Sequence, residues 1–294
     1  MPDHVRLREV VARLEALYPP ASAAAWDRVG LVTGDLDQPV RRILFALDPT
    51  LAVIEEATAW GADLLVTHHP LLLRGVHSVA TTGAKGASVT RLVVADIALY
   101  VAHTNADVSD PGVSGVLADA LGLGGQRPLS QIEGYAAGRV GELPAPLSLV
   151  AFATRLSEVL PPSVGGIRVA GDPDGAVRTV AVLGGSGDDQ FDAVRASGAD
   201  VYVTADLRHH PALEAREEAR GSRPYLIDAG HWATESLWLE DARRRLLDAL
   251  GEDAGQPVRV ESKVSTIRTE PWSFVVGADM PGTPDLDPEV RPES

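Results

Sequence analysis

The chain of 294 residues contains no cysteine. That absence rules out a disulfide framework and any thiolate metal site, so a bound metal must be held by imidazole and oxygen ligands. Positive charge is scarce too: 26 Lys and Arg stand against 41 Asp and Glu, a formal net charge of −15. Nucleic-acid binding needs a clustered basic face to neutralise phosphates. The only local basic run, Arg243-Arg244-Arg245, lies inside the helical pattern from Thr234 to Leu250 and reads as a solvated helix face. Long apolar runs are missing as well. The most apolar stretch, Leu92 to Ala102, is broken by Asp96, and the N-terminus enters a charged helical pattern with no apolar leader core. The expectation is a soluble, cytoplasmic protein with neither nucleic acid nor membrane as partner. Neither a Walker-type phosphate loop nor a dinucleotide fingerprint occurs.

What is present is ample core material, with 45% of residues hydrophobic, enough for one large domain or two small ones. Val5 to Leu17 has helical spacing and ends at Pro19-Pro20. Beyond it, strands are predicted at Ile43–Leu47, Asp63–Thr67, Ala98–Ala102, Thr179–Leu183, Asp200–Thr204 and Tyr225–Asp228. Most are continuous apolar runs, as a sheet covered on both faces requires. Helices are predicted between them, which argues for an α/β fold with parallel strands and crossover helices.

The more informative feature is an internal repeat. Arg42-Ile43-Leu44-Phe45-Ala46-Leu47 resembles Arg178-Thr179-Val180-Ala181-Val182-Leu183, and Gly61-Ala62-Asp63 with its strand resembles Gly198-Ala199-Asp200 with its own. Each second strand ends in Thr and precedes a His-His-Pro triplet, His68-His69-Pro70 or His209-His210-Pro211. Each third strand leads to a His followed four residues later by a carboxylate: His103 with Asp107, and His231 with Glu235. Two similar α/β halves follow, related by a pseudo-twofold, over residues 1–130 and 131–276 with the boundary inside Gly122–Pro146. The acidic, Pro-rich tail over 277–294 is expected to be disordered.

Ligands of open α/β sheets bind beyond the carboxyl ends of the strands, where six of the eight histidines fall. If the halves face each other, His68, His69 and Asp107 come from one and His231 and Glu235 from the other. That is enough ligation for two ions between the halves, an arrangement suited to assisted hydrolysis. His4 and His77 read as surface residues, and His209 and His210 as helpers that orient a ligand or handle protons. Gly184-Gly185-Ser186-Gly187 reads as a strand-to-helix turn, with phosphate approach as the alternative.

The segments Ala25-Trp26-Asp27-Arg28-Val29-Gly30-Leu31, Val66-Thr67-His68-His69-Pro70, His103-Thr104-Asn105-Ala106-Asp107, Thr204-Ala205-Asp206 with His210, and Gly230-His231-Trp232-Ala233-Thr234-Glu235 resemble the signature set of the dinuclear-metal hexameric proteins known as GTP cyclohydrolase 1 type 2 homologues. The order matches up to about Trp272. The resemblance implies metal ligation by His68, His69, Asp107, His231 and Glu235, with two divalent ions per chain, zinc or iron first and manganese or cobalt as alternatives. It also implies a homohexamer and a small-molecule substrate such as a nucleotide. Ring-opening hydrolysis of GTP would need a proton donor, for which His210 and His103 are the candidates. Phosphoester hydrolysis and a non-catalytic metal-binding assembly are the rival expectations. Three departures from the family pattern bear on the pocket: Arg28 in place of Asn, Ala205 in place of Gly, and Trp232 where some relatives carry a second His.

Overall fold

The computed structural model describes residues 4–254 and 260–277, so the tail expected to be disordered lies, from 278 onward, outside the described residues. Two mixed sheets form the frame. The first contains β1 (Gly30–Thr33), β2 (Arg42–Ala46), β3 (Leu64–Thr67) and β4 (Ala98–Val101). The second contains β5 (Gly124–Arg127), β6 (Arg139–Ser148), β7 (Arg168–Ala170), β8 (Ala176–Ser186), β9 (Val201–Ala205) and β10 (Tyr225–Asp228). A last strand, β11 (Glu261–Val264), returns to the first sheet. The strand orders are β11-β2-β3-β4-β1 and β7-β10-β9-β8-β6-β5. The centres of both sheets are parallel, β11-β2-β3-β4 and β8-β9-β10, while β1, β5, β6 and β7 run antiparallel to their neighbours. The α/β class is as the sequence predicts. The antiparallel edges are additions that it did not announce.

Helices cover both faces of each sheet: α1 (Leu7–Leu17), α2 (Leu51–Trp60), α3 (Ala84–Val94), α4 (Thr104–Asp107), α5 (Gly112–Ala120), α6 (Leu149–Val159), α7 (Phe191–Ser197), α8 (His209–Ala219) and α9 (His231–Ala254). Alternation along each parallel strand divides its side chains between two cores. Ile43 and Phe45 pack with α1 and α9, whereas Leu44 and Ala46 pack with α2 and α3. In the second sheet Val180, Val182, Val201 and Val203 meet α5 and α6, whereas Ala181 and Tyr202 meet α7 and α8. The helix α9 joins the two halves: Trp238, Leu239, Ala242 and Leu246 lie in the first sheet's core and Ala233 in the second's. Each large apolar side chain contributes ~1.5–3 kcal/mol when fully buried, so tertiary packing, more than propensity, fixes this helix.

The repeat is visible in backbone detail. Gly61 and Gly198 end α2 and α7 in the left-handed region, with φ of 72° and 74°. Asp63 Oδ2 accepts from the amides of Arg41 and Arg42 at 2.7 and 2.9 Å, and Asp200 Oδ2 from those of Arg178 and Thr179 at 2.8 and 2.9 Å. Both Gly-Ala-Asp motifs therefore stop a helix and then tie the next strand to its neighbour. The chain leaves the first sheet at Val101 and enters the second at Gly124, with Leu117 and Ala118 of α5 already in the second core, and the halves interlock, because α9 and β11 come from the end of the chain and complete the first sheet.

Candidate metal centre

His68 and His69 follow β3 directly, His103 follows β4, Asp107 ends α4, and His231 and Glu235 share one face at the start of α9, four residues apart. The carboxyl ends of β3 and β4 meet the N-terminus of α9, and the side chains converge on Glu235. Its Oε1 lies 3.7 Å from His68 Nε2 and 3.2 Å from His231 Nε2, and its Oε2 lies 3.1 Å from His69 Nε2. Asp107 Oδ1 is 3.6 Å from His68 Nε2, and the Nε2 atoms of His69 and His231 are 3.3 Å apart. All five residues expected as ligands are thus brought together, from both halves.

Every ring is held by its other nitrogen. His69 Nδ1 donates to Asp48 Oδ1 at 2.7 Å, His231 Nδ1 to Asp206 Oδ2 at 2.7 Å, His103 Nδ1 to Asp27 Oδ1 at 2.9 Å, and His68 Nδ1 to the Ala102 carbonyl at 2.9 Å. A carboxylate or carbonyl can only accept, so each ring keeps the proton on Nδ1 and aims Nε2 into the cluster. Thr269 donates in turn to Asp48. Asp206 adopts φ of 54°, a left-handed conformation that Asp tolerates better than most residues.

The site fits a cation. His68 Nε2 and Glu235 Oε2 are buried and have no hydrogen-bond partner, although an unpaired buried polar atom ordinarily costs ~1–3 kcal/mol. Donor atoms of His68, His69 and His103, and likewise those of His69, His231 and Glu235, come within 4.8 Å of one another. Imidazole with carboxylate suits zinc, iron, manganese or cobalt. The electrostatics agree. Burial opposes charge on His69, yet its hydrogen bond to Asp48 and the nearby Glu235 carboxylate outweigh that and lift its pKa to about 10. His231 rises to about 10 in the same way, through Asp206 and Glu235. Burial pushes Glu235 up, but His68, His231 and His69 hold it well below the usual carboxylate range. The pocket thus favours positive charge around a fixed anion.

Other expected helpers are placed elsewhere. His209 and His210 form the first turn of α8, stacked edge-on upon each other 5.1 Å apart, with His210 exposed. The two His-His-Pro triplets are not structural equivalents. In sheet register Thr204 is the counterpart of Thr67, so Ala205 and Asp206 stand where His68 and His69 stand, and it is Asp206 that reaches the centre. The amides of Gly184, Gly185 and Gly187 are already bonded to Ser114, Thr234 and Ala205. The turn serves the approach of Glu235, not a phosphate. Asp48, Asp27 and Asp206 have orienting roles that sequence reasoning did not assign. Their common signal is a carboxylate just after a strand or, for Asp27, just before one.

Two cavities meet at the cluster and share His69 and His231. One, of about 630 Å³, is lined by Asp48, Asp206, Arg168, Trp232, Glu270 and Trp272 among others. The other, of about 620 Å³, reaches Asp107, His103 and Glu235. Trp232 packs against both cores beneath the first, whereas Arg28 turns to the Asp27 carbonyl and lines neither.

An α/β protein with a histidine–carboxylate cluster between its two sheets defines the class. The pattern of the Duf34/NIF3 (NGG1p interacting factor 3) family matches residues 5–271, and the chain belongs to that family. It is 52% identical over 279 residues to a Streptomyces coelicolor protein called GTP cyclohydrolase 1 type 2 homolog, covering 93% of this chain and 95% of the relative. A Clostridium perfringens protein of the same name is 31% identical over 276 residues, covering 92% and 100%. Among solved structures, a Bacillus cereus protein related to NIF3 superposes with a TM-score of 0.83 at 26% identity, covering 92% of this chain and 99% of that one. Among the described residues no helix is long and apolar enough to cross a membrane.

Proposed function

We propose that the protein is a dinuclear metal-dependent hydrolase, in which His68, His69, Asp107, His231 and Glu235 would hold two divalent ions. The observation that carries this reading is the position of Glu235, whose Oε1 faces His68 and His231 and whose Oε2 faces His69, so that one buried carboxylate reaches three imidazoles. Bound zinc or iron ions would supply Lewis acidity and activate water for attack on an electrophilic carbon or phosphorus. The chain itself orients the ligands through Asp48, Asp206 and Ala102. It also offers a proton carrier in His103, whose Nδ1 is tied to Asp27 and whose ring lines the cavity that reaches Glu235. His103 is better placed for that task than His210, which lines neither cavity.

The name of the relatives points to opening of the guanine ring of GTP, and this is the reaction to assay first. The proposal includes a cytoplasmic homohexamer, as the family resemblance implies. The exposed apolar run Trp272, Phe274, Val275 and Val276 supports an assembly contact. The test is metal content by elemental mass spectrometry on untagged protein, followed by turnover of GTP and of a chromogenic phosphoester. About two ions per chain with ring opening supports the reading. Turnover of the phosphoester alone moves the protein to the phosphoesterases, and metal without turnover makes it a binding assembly.

A further inference from the structure

The cavity of about 620 Å³ contains an aromatic side chain and a cation that the metal chemistry does not use. Trp26 lines it while 57% exposed, an indole face open to the cavity. Its placement is rigid. The adjacent Asp27 is buried and accepts from the Arg28 amide at 2.7 Å, the Thr104 amide at 3.0 Å and His103 Nδ1 at 2.9 Å, and the Trp26 ring stands edge-on to His103 with centroids 5.9 Å apart. Lys85, near the start of α3, lines the same cavity and has no ion-pair or hydrogen-bond partner among the described residues. Leu73, Ile132 and Leu183 supply apolar wall. Glu133, which also lines it, is engaged by the Ala25 amide at 3.1 Å. The volume lies in the range of small-ligand pockets.

We infer that Trp26 and Lys85 are the specificity-determining pair of this cavity, selecting a compound that joins a planar heteroaromatic ring to an anionic group. This rests on the hydrolase reading for which atom reacts, but not for what binds. An exposed indole gives a stacking platform that accepts any π-face. An unpaired ammonium gives a flexible point charge for phosphate or carboxylate. With the platform on one wall and Glu235 on another, the bound ring lies beside the metal ligands.

The test is calorimetric binding of guanosine 5′-monophosphate, guanosine and ribose 5-phosphate to metal-loaded full-length protein. Trp26→Ala should weaken the nucleotide and the nucleoside about tenfold, the loss of one stacked base, and leave ribose 5-phosphate unchanged. Trp26→Phe should restore most of the affinity. Lys85→Ala should weaken the two phosphates and spare guanosine. The inference is overturned by wild-type affinity of Trp26→Ala for the nucleotide, by ribose 5-phosphate binding as tightly as the nucleotide, or by a change of assembly in Trp26→Ala on sedimentation, which would make Trp26 a contact between copies. Binding that follows this pattern in a protein without turnover would keep the inference and sink the hydrolase reading.

Discussion

A Cβ atom on Gly185 would lie 2.2 Å from Glu235 Oε1 and 3.4 Å from His231 Nε2. The end of β8 thus presses bare backbone against the carboxylate at the centre of the cluster, and Gly185 also has φ of 72°. Gly185→Ala should both displace the carboxylate and strain the backbone by ~1–2 kcal/mol. Elemental analysis should show a loss of more than half of the bound metal, while the melting temperature falls only a few degrees. Full metal content in this variant would remove Glu235 from the ligand set.

Asp48 and Asp206 touch no metal-facing atom yet fix the rings of His69 and His231. Asp48→Asn and Asp206→Asn should each lower metal affinity about 10–100-fold, the usual cost of losing such a partner. Competition against a chromophoric chelator measures it. Retention of wild-type affinity by both variants would show that the rings are positioned by packing alone.

Metal uptake should release protons. With their pKa values lifted to about 10, His69 and His231 carry protons at neutral pH when no cation is bound, whereas Glu235 is already ionised. A cation must displace the imidazole protons, so apparent affinity should rise with pH across the neutral range and level off near 10. The sign follows from a raised histidine pKa, because the competing protonated form dominates below it. Titrating zinc into chelator-stripped protein in weak buffer should acidify the solution at pH 7.5, and a flat affinity between pH 6 and 9 would refute the coupling.

Removing the repeated aspartates tests the repeat itself. Asp63→Ala and Asp200→Ala each deprive two strand amides of an acceptor, and each should destabilise the fold by ~1–3 kcal/mol in urea denaturation. Asp200→Ala should lose the more of the two, because Asp200 Oδ1 also pairs with Arg223.

Much of this architecture is legible in the sequence, because parallel strands buried on both faces must be continuous apolar runs, as Leu64–Thr67 and Val201–Ala205 are. The strands that escape notice have other duties. Gly124–Arg127 is polar, and Arg139–Ser148 contains Pro144 and Pro146, which read as a linker and not as a strand. The candidate site was legible where its members are histidines at strand ends. It was misleading at His209-His210-Pro211, where an identical triplet falls past the register position of His68-His69-Pro70. Asp48 carried too little signal, since an acid after a strand is common and only the fold brings it to His69.

The first sheet is closed by residues from the far end of the chain: Glu261 pairs with Arg42 across a separation of 219 residues. During synthesis the strands Arg42–Ala46, Leu64–Thr67 and Ala98–Val101 emerge long before α9 and Glu261–Val264 can cover them. Such long-range closure is slow and leaves apolar surface open meanwhile. A ribosome that stalls before residue 264 therefore releases a chain with an uncovered sheet, a natural substrate for chaperones and proteases. Loss of the last strand is accordingly a defect of the N-terminal half.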